Sequence, residues 1–263
     1  MFDNIKYNRL AIKNNKNYIK AKPYSHIQFK NFLDKNFAHK LFKKFPKYED
    51  DCWISHKKYG RNINTNYKKA QHDERYFPDI LRNFLRNLNS KQFLLFLETL
   101  TGINGLIPDP YFIGGGLHIS KENGYLNTHV DFNWHHKLQL HRRLNVLIYL
   151  TPNFRKINGS QLELKNSNNT KIIKQYEPTF NSCIIFNTSS KSFHGHSNPV
   201  KGKIFRRVIN AYYYTANRPE NEIYNPTFTN YTEIKKNKID LKKFKINNSP
   251  FALQLLNDYK KLK

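Results

Sequence analysis

Residues Gly124–Asp131 read GYLNTHVD, an extended run that closes on a His-Xaa-Asp pair. Along a strand, residues two apart face the same side. His129 and Asp131 therefore point together, and Val130 points away. Two further histidines, His194 and His196, follow in SFHGH, and two arginines, Arg206 and Arg207, open RRVINAYYYT. From Tyr111 onward, short apolar runs are cut by Gly, Pro and Asn, at the spacing of a sandwich or jelly roll. The predicted strands are Gly116–Ser120, Leu126–Val130, Leu144–Leu150, Gln161–Leu164, Lys171–Ile173, Cys183–Phe186, Phe193–His196 and Arg206–Thr215. Coming after a helical prelude, they predict an α+β chain built on a double-stranded β-helix, the jelly-roll form with an open mouth.

The prelude carries the buttressing helices. Asn31–Phe45 places Phe32, Leu33, Phe37, Leu41 and Phe45 at helical spacing, with Pro46 ending the pattern. Phe77–Leu100 reads as two helices parted near Asn87–Ser90. Residues 1–22 read as a loosely ordered basic N-terminal arm. After Thr215 the chain is polar, with one weakly helical stretch from Pro250 to Leu262.

Two imidazoles and one carboxylate hold Fe(II) on one face of an octahedron and leave the opposite face open for oxygen and a chelating 2-oxo acid. His129 and Asp131 supply two of the three groups. His194 and His196 share parity, so both compete for the third place. An arginine shortly downstream can clasp the far carboxylate of 2-oxoglutarate through two parallel hydrogen bonds, which lysine cannot reproduce. Parity sends Arg206 to the face of Val208, Asn210 and Tyr212 and Arg207 to the other, without choosing between them. The histidines His135, His136 and His141 read as surface or rim residues. Neither HExxH nor a His-Xaa-Glu with paired cysteines occurs, which disfavours zinc hydrolysis.

With 263 residues, 38% hydrophobic and 15% aromatic, the chain suits one folded domain with a substantial core. Cys52 and Cys183 match no zinc or redox spacing, so a reducing, cytoplasmic setting is expected. Met1–Lys20 has no apolar core of signal-peptide length, and no membrane span is expected. The formal charge of +26, from 45 basic and 19 acidic residues, would attract nucleic acid or a ribosome. Scattered lysines in a Lys-, Asn- and Ile-rich chain equally describe a solvated surface.

The stretches GGGLHIS, GYLNTHVDFNWH, LHRRLNVLIYLTPNF, GSQLELKN, FNSCIIFNTSSKSFHGHSNP and RRVINAYYYTANRP resemble, in order, the single-domain 2-oxoglutarate/Fe(II) oxygenases of the prolyl 4-hydroxylase type. They are similar to the bacterial and phage relatives of ribosomal prolyl hydroxylases. The likeness spans residues 23–219, leaving the arm 1–22 and a polar extension 220–263. It implies His129, Asp131 and His194 as iron ligands. It also implies Arg206 as the 2-oxoglutarate anchor, Tyr149 as a partner on the same carboxylate, and Asn210 as a pocket-lining residue. Ser160 stands where relatives often carry glycine, and Val208 where they often carry serine.

The resemblance implies hydroxylation of an unactivated C–H bond, with Fe(II), 2-oxoglutarate and O2 consumed and ascorbate as a supporting reductant. A prolyl residue of a protein is the leading substrate; a free amino acid, sugar precursor or other metabolite is the alternative. A nucleic-acid demethylase would fit the charge, but oxygenases of that kind usually carry a second arginine six residues after the anchor, where this chain has Tyr212. A non-enzymatic basic jelly-roll binding module is the remaining class.

Overall fold

The computed structural model describes residues 1–54, 65–223, 226–227 and 229–231. The expected helix Pro250–Leu262 and most of the 220–263 extension lie outside them. Helix α1 (Asn4–Lys20) is followed by strand β1 (His26–Phe29), α2 (Lys35–Lys44) and β2 (Thr65–Gln71). Then come α3 (Asp79–Leu88), α4 (Lys91–Thr101), β3 (Ile107–Pro108), β4 (Gly116–Val130), β5 (Trp134–His135) and β6 (Leu140–Tyr149). The last strands are β7 (Leu162–Lys165), β8 (Ile172–Tyr176), β9 (Ser182–Asn187), β10 (His194–His196), β11 (Arg206–Thr215) and β12 (Asn230–Tyr231). Among the described residues no helix is long and apolar enough to cross a membrane.

Hydrogen bonding runs β1-β9-β6-β11-β4-β10-β7-β8, all antiparallel, giving the expected jelly roll with its helices packed outside. The organising element is β4. Its first half pairs with β11 and its second half with β10, so one continuous strand serves both sides of the roll. The sequence pattern breaks it in two because Asn123 and Gly124 interrupt the apolar run. Asn123 is left-handed at φ 62°, a conformation asparagine tolerates. A Cβ on Gly124 would come 2.6 Å from the Lys121 carbonyl oxygen, so only glycine lets the strand turn there.

The two faces of the sheet bury different things. Leu117, Ile119, Ile148, Ile209 and Tyr213 pack outward against α1–α4. Leu147, Tyr149, Leu162, Leu164, Ile184, Phe186 and Val208 fill the interior of the roll. Period-2 alternation along β6, β9 and β11 sorts these two sets.

Residues 1–22 are not a loose arm. Asp3 caps α1 by accepting from the Lys6 amide at 2.6 Å, and Tyr7, Ala11 and Tyr18 are buried. Tyr7 donates to the Phe32 carbonyl at 2.8 Å, and Tyr18 to Asn187 Oδ1 at 2.5 Å. Asn15 donates to the Thr99 and Leu100 carbonyls near the end of α4. The helix escapes a reading by average polarity because its buried stripe is built from tyrosine and alanine while its lysines cover the outer face. The helix expected from Asn31 begins at Lys35, where Asp34 caps it. Phe32 and Leu33 stay buried in the preceding loop, which the Asn181 amide clamps at Leu33 N and O (2.9 and 2.8 Å). The split between α3 and α4 falls as expected, at Asn89 and Ser90.

Ala11 is fully buried among the α1–α4 packing, so Ala11→Arg forces a guanidinium into a dry contact. A loss of about 3 kcal/mol or more is expected, read as a clear fall in melting temperature. An unchanged melting curve would restore the picture of a dispensable arm.

Candidate metal centre and co-substrate pocket

The register of β4 against β10 sets His194 directly opposite His129, and the two rings lie 4.4 Å apart. Asp131, one residue past the end of β4, reaches both. Its Oδ1 is 3.6 Å from His129 Nε2, and its Oδ2 is 3.3 Å from His194 Nε2. These three residues offer ligand atoms all within 4.8 Å of one another.

The tautomers are fixed from behind. His129 Nδ1–H donates to the Asn127 carbonyl and His194 Nδ1–H to the Ser192 carbonyl, each at 2.8 Å. Both Nε2 lone pairs are thereby left facing the carboxylate. Two lone pairs and an anion converging in a buried space repel each other unless a cation sits among them. The donor chemistry therefore fits a divalent metal, and two imidazoles with one carboxylate fit Fe(II). Burial holds His129 below its usual pKa, with the neighbouring His194 adding to the effect. Burial alone would raise Asp131. Arg142, His194 and His129 outweigh it and hold the carboxyl well below the ordinary carboxylate range.

Arg142 and Asn145 were not legible as site residues. Arg142 Nη2 lies 3.0 Å from Asp131 Oδ2, and Asn145 Nδ2 donates to the same oxygen at 2.7 Å. Arg142 also donates to Asn145 Oδ1 at 2.7 Å and stacks 3.6 Å above the Tyr212 ring and 4.4 Å from that of Phe132. Three positions apart on a regular strand, Arg142 and Asn145 would face opposite ways. The register slips between Tyr213 and Tyr214, so β6 accommodates Arg143 as an extra residue. Such a bulge returns both side chains to one face. The available signal was Asn145, a polar residue inside the otherwise apolar run Leu144–Leu150.

Arg206 enters the roll and Arg207 does not. Arg206 is buried and donates to Tyr149 Oη at 2.9 Å, while its Nε has no partner among the described residues. Arg207 lies on the helical side, over the Phe42 and Phe205 rings at 5.2 and 5.1 Å. Asn210 is buried on the Arg206 face, and its Oδ1 lacks a partner among the described residues. His196 is held away from the three-residue cluster by Ser160 Oγ, 3.1 Å from its Nδ1. His135, expected at the rim, is buried instead. Its Nε2 contacts Asp109 Oδ1 at 3.2 Å and its Nδ1 accepts from the Leu138 amide. The short β5–β6 hairpin folds it inward. His136 and His141 are half-buried beside it.

The model of the 2OG-Fe(II) oxygenase superfamily matches residues 115–214. No curated protein matches the sequence. Among solved structures, a Trichoplax adhaerens prolyl hydroxylase, in complex with a hypoxia-inducible-factor peptide fragment, is similar at TM-score 0.56 and 17% identity; the match covers 80% of this chain and 91% of that one. A Pseudomonas putida prolyl-4-hydroxylase is similar at TM-score 0.53 and 12% identity, covering 79% and 98%. The α-ketoglutarate-dependent epimerase SnoN of nogalamycin biosynthesis follows at TM-score 0.52 and 10% identity, covering 79% and 84%.

His194→Ala is expected to weaken Fe(II) binding about a hundredfold or more, whereas His196→Ala retains it, as measured by anaerobic metal titration. The reverse order would move the metal deeper along β10. The matched segment, the roll that β4 carries across both sides and the donor set agree: residues 115–214 match the 2OG-Fe(II) oxygenase superfamily and form most of a jelly roll.

Proposed function

We propose that this 2-oxoglutarate-dependent dioxygenase hydroxylates a prolyl residue of a protein. The observation that carries the reading is the pairing of two sites in one interior: the His129–Asp131–His194 donor set and the buried Arg206–Tyr149 pair. Phe186 links them, lying against the His194 ring at 4.8 Å and packing in the same interior cluster as Tyr149. His129, Asp131 and His194 would hold Fe(II), and Arg206 with Tyr149 would hold the distal carboxylate of 2-oxoglutarate.

Bound Fe(II), with 2-oxoglutarate and O2, supplies the oxidising power: substrate C–H becomes C–OH while the keto-diacid becomes succinate and carbon dioxide. The protein orients and shields. Leu147, Leu162, Leu164, Ile184 and Val208 make the wall between the two polar ends apolar, which keeps water from the reacting centre. Arg142 and Asn145 fix the Asp131 carboxylate, so its geometry does not depend on the incoming ligand. Near the metal end, the Tyr231 ring lies 5.2 Å from that of His129, and Phe132 packs on Arg142. Such aromatic surface suits an apolar pyrrolidine ring.

The prolyl substrate is supported by the fold likeness to prolyl hydroxylases. The likeness to SnoN, an epimerase of nogalamycin biosynthesis, favours a small-molecule substrate as the second reading. The segments Asp131–His141 and Asn153–Gly159 flank the mouth in our reading and would decide between them. Unpaired Cys52 and Cys183 support a reducing, cytoplasmic setting. The basic excess supports an acidic partner such as a ribosomal surface.

Iron-loaded protein incubated with 2-oxoglutarate and prolyl peptides should form succinate and add one oxygen atom to proline, both abolished by His129→Ala. Arg206→Met should raise the KM for 2-oxoglutarate on the order of a hundredfold. Succinate formation that persists in the His129 variant would refute the assigned centre. Oxygen added to metabolites of a lysate but to no peptide would select the small-molecule reading.

A further inference from the structure

One cross-strand row runs through the wall of the roll from β2 to β11. Lys68 pairs with Ser120, and Ser120 pairs with Arg206. Directly paired residues on neighbouring strands project from the same face. The next residues on that face are Ala70, His118, Val208 and Tyr149, again aligned by register, and Val208 and Tyr149 belong to the interior cluster. The intervening row, Lys69, Ile119 and Arg207, faces the helices. Lys69 donates to the Tyr48 carbonyl there at 2.7 Å, and Ile119 packs in the helical core. Lys68 thus turns inward and Lys69 outward. A register slip between Asn66 and Lys68, with Tyr67 at φ 42°, sets this parity.

Inside, the polar groups are left incomplete in a consistent way. Arg206 Nε, His196 Nε2 and His118 Nδ1 are buried without partners among the described residues. No hydrogen bond or ion pair among the described residues engages Lys68 Nζ either. Burial and nearby Arg206 push the Lys68 ammonium down to about 8, with Asp131 opposing. Asp131 cannot neutralise it, because that carboxylate is committed to Arg142 and Asn145. His118 donates from Nε2 to the Gly115 carbonyl at 2.9 Å, so its other nitrogen is acceptor-only and suits an ammonium rather than an anion. Ser160 Oγ holds Nδ1 of His196 at 3.1 Å and leaves the Nε2 of that ring without a partner among the described residues. Two cationic groups in one partly dry wall disfavour each other until an anion arrives. A carboxylate offers about four lone-pair sites, more than Arg206 and Tyr149 can fill.

We propose that Lys68 is a second cationic contact to the distal carboxylate of 2-oxoglutarate, shared with Arg206, and that it sets the preference for a keto-diacid over a keto-monoacid. This rests on the assignment of Arg206 as the anchor for that carboxylate. The alternative bearer of an anion is the substrate itself, and the test separates the two.

The test is calorimetric titration of the Mn(II)-loaded full chain, without oxygen, using 2-oxoglutarate and 2-oxobutanoate, which keeps the chelating end but lacks the distal carboxylate. Lys68→Met should weaken 2-oxoglutarate roughly ten- to a hundredfold and leave 2-oxobutanoate unchanged. Lys68→Arg should stay within a few fold of the parent. The metal-free Lys68→Met protein should melt no lower than the parent, because a cation lacking its counterion has been removed. Parent-like 2-oxoglutarate affinity in Lys68→Met overturns the proposal and points to a substrate-side role. Equal weakening of both acids, with a lower melting temperature, overturns it in favour of a structural lysine. If Arg206→Met also binds 2-oxoglutarate like the parent, the anchor assignment fails along with it.

Discussion

Among the described residues, Asp131 is the carboxylate on which two imidazoles, a guanidinium and an amide converge, and its placement constrains the whole roll. Its charge would be costly to bury alone. Arg142, Asn145, His129 and His194 each face it, and they come from three strands, β4, β6 and β10, whose registers must be right. β4 supplies His129 just before Asp131. β10 must pair with β4 so that His194 lands opposite His129. β6 must bulge at Arg143 so that Arg142 and Asn145 share a face. A slip of one residue in any of these pairings would turn a partner away from the carboxylate.

From that constraint the division of labour in the chain follows. The outer helices contribute no residue to the metal cluster. They bury one face of the sheet through an aromatic cluster that includes Phe2, Tyr7, Phe32, Phe93 and Phe96, and so hold β4, β6 and β11 rigid enough to keep side chains aligned. The inner face keeps its polar residues at the two ends of an apolar stretch. In the proposed reading, a ligand that spans both ends is oriented along the roll, with one end at the metal and the other at Arg206.

Much of this was legible from the sequence where a period of two or of 3.6 was unbroken. The bounds of β11 fall as expected, α3 and α4 lie within two residues of theirs, and the alternation at His129-Val130-Asp131 shows which side chains converge. What stayed hidden lies where the period breaks or where burial is not apolar. The bulge at Arg143 concealed Arg142 and Asn145 as site residues. The bulge at Tyr67 concealed that Lys68 and Lys69 part to opposite faces, and β2 was not recognised, its sequence TNYKKAQ being too polar. His135 looked like a rim residue because its partner, Asp109, is distant in sequence. Tyrosine and alanine concealed the buried face of α1.

The most direct test of the central claim is anomalous diffraction from Mn(II) in crystals grown with 2-oxoglutarate. The account predicts one strong peak bounded by His129 Nε2, Asp131 Oδ1 and His194 Nε2, with the keto-diacid running from it to Arg206. A peak held by His196, or none among these residues, would contradict it.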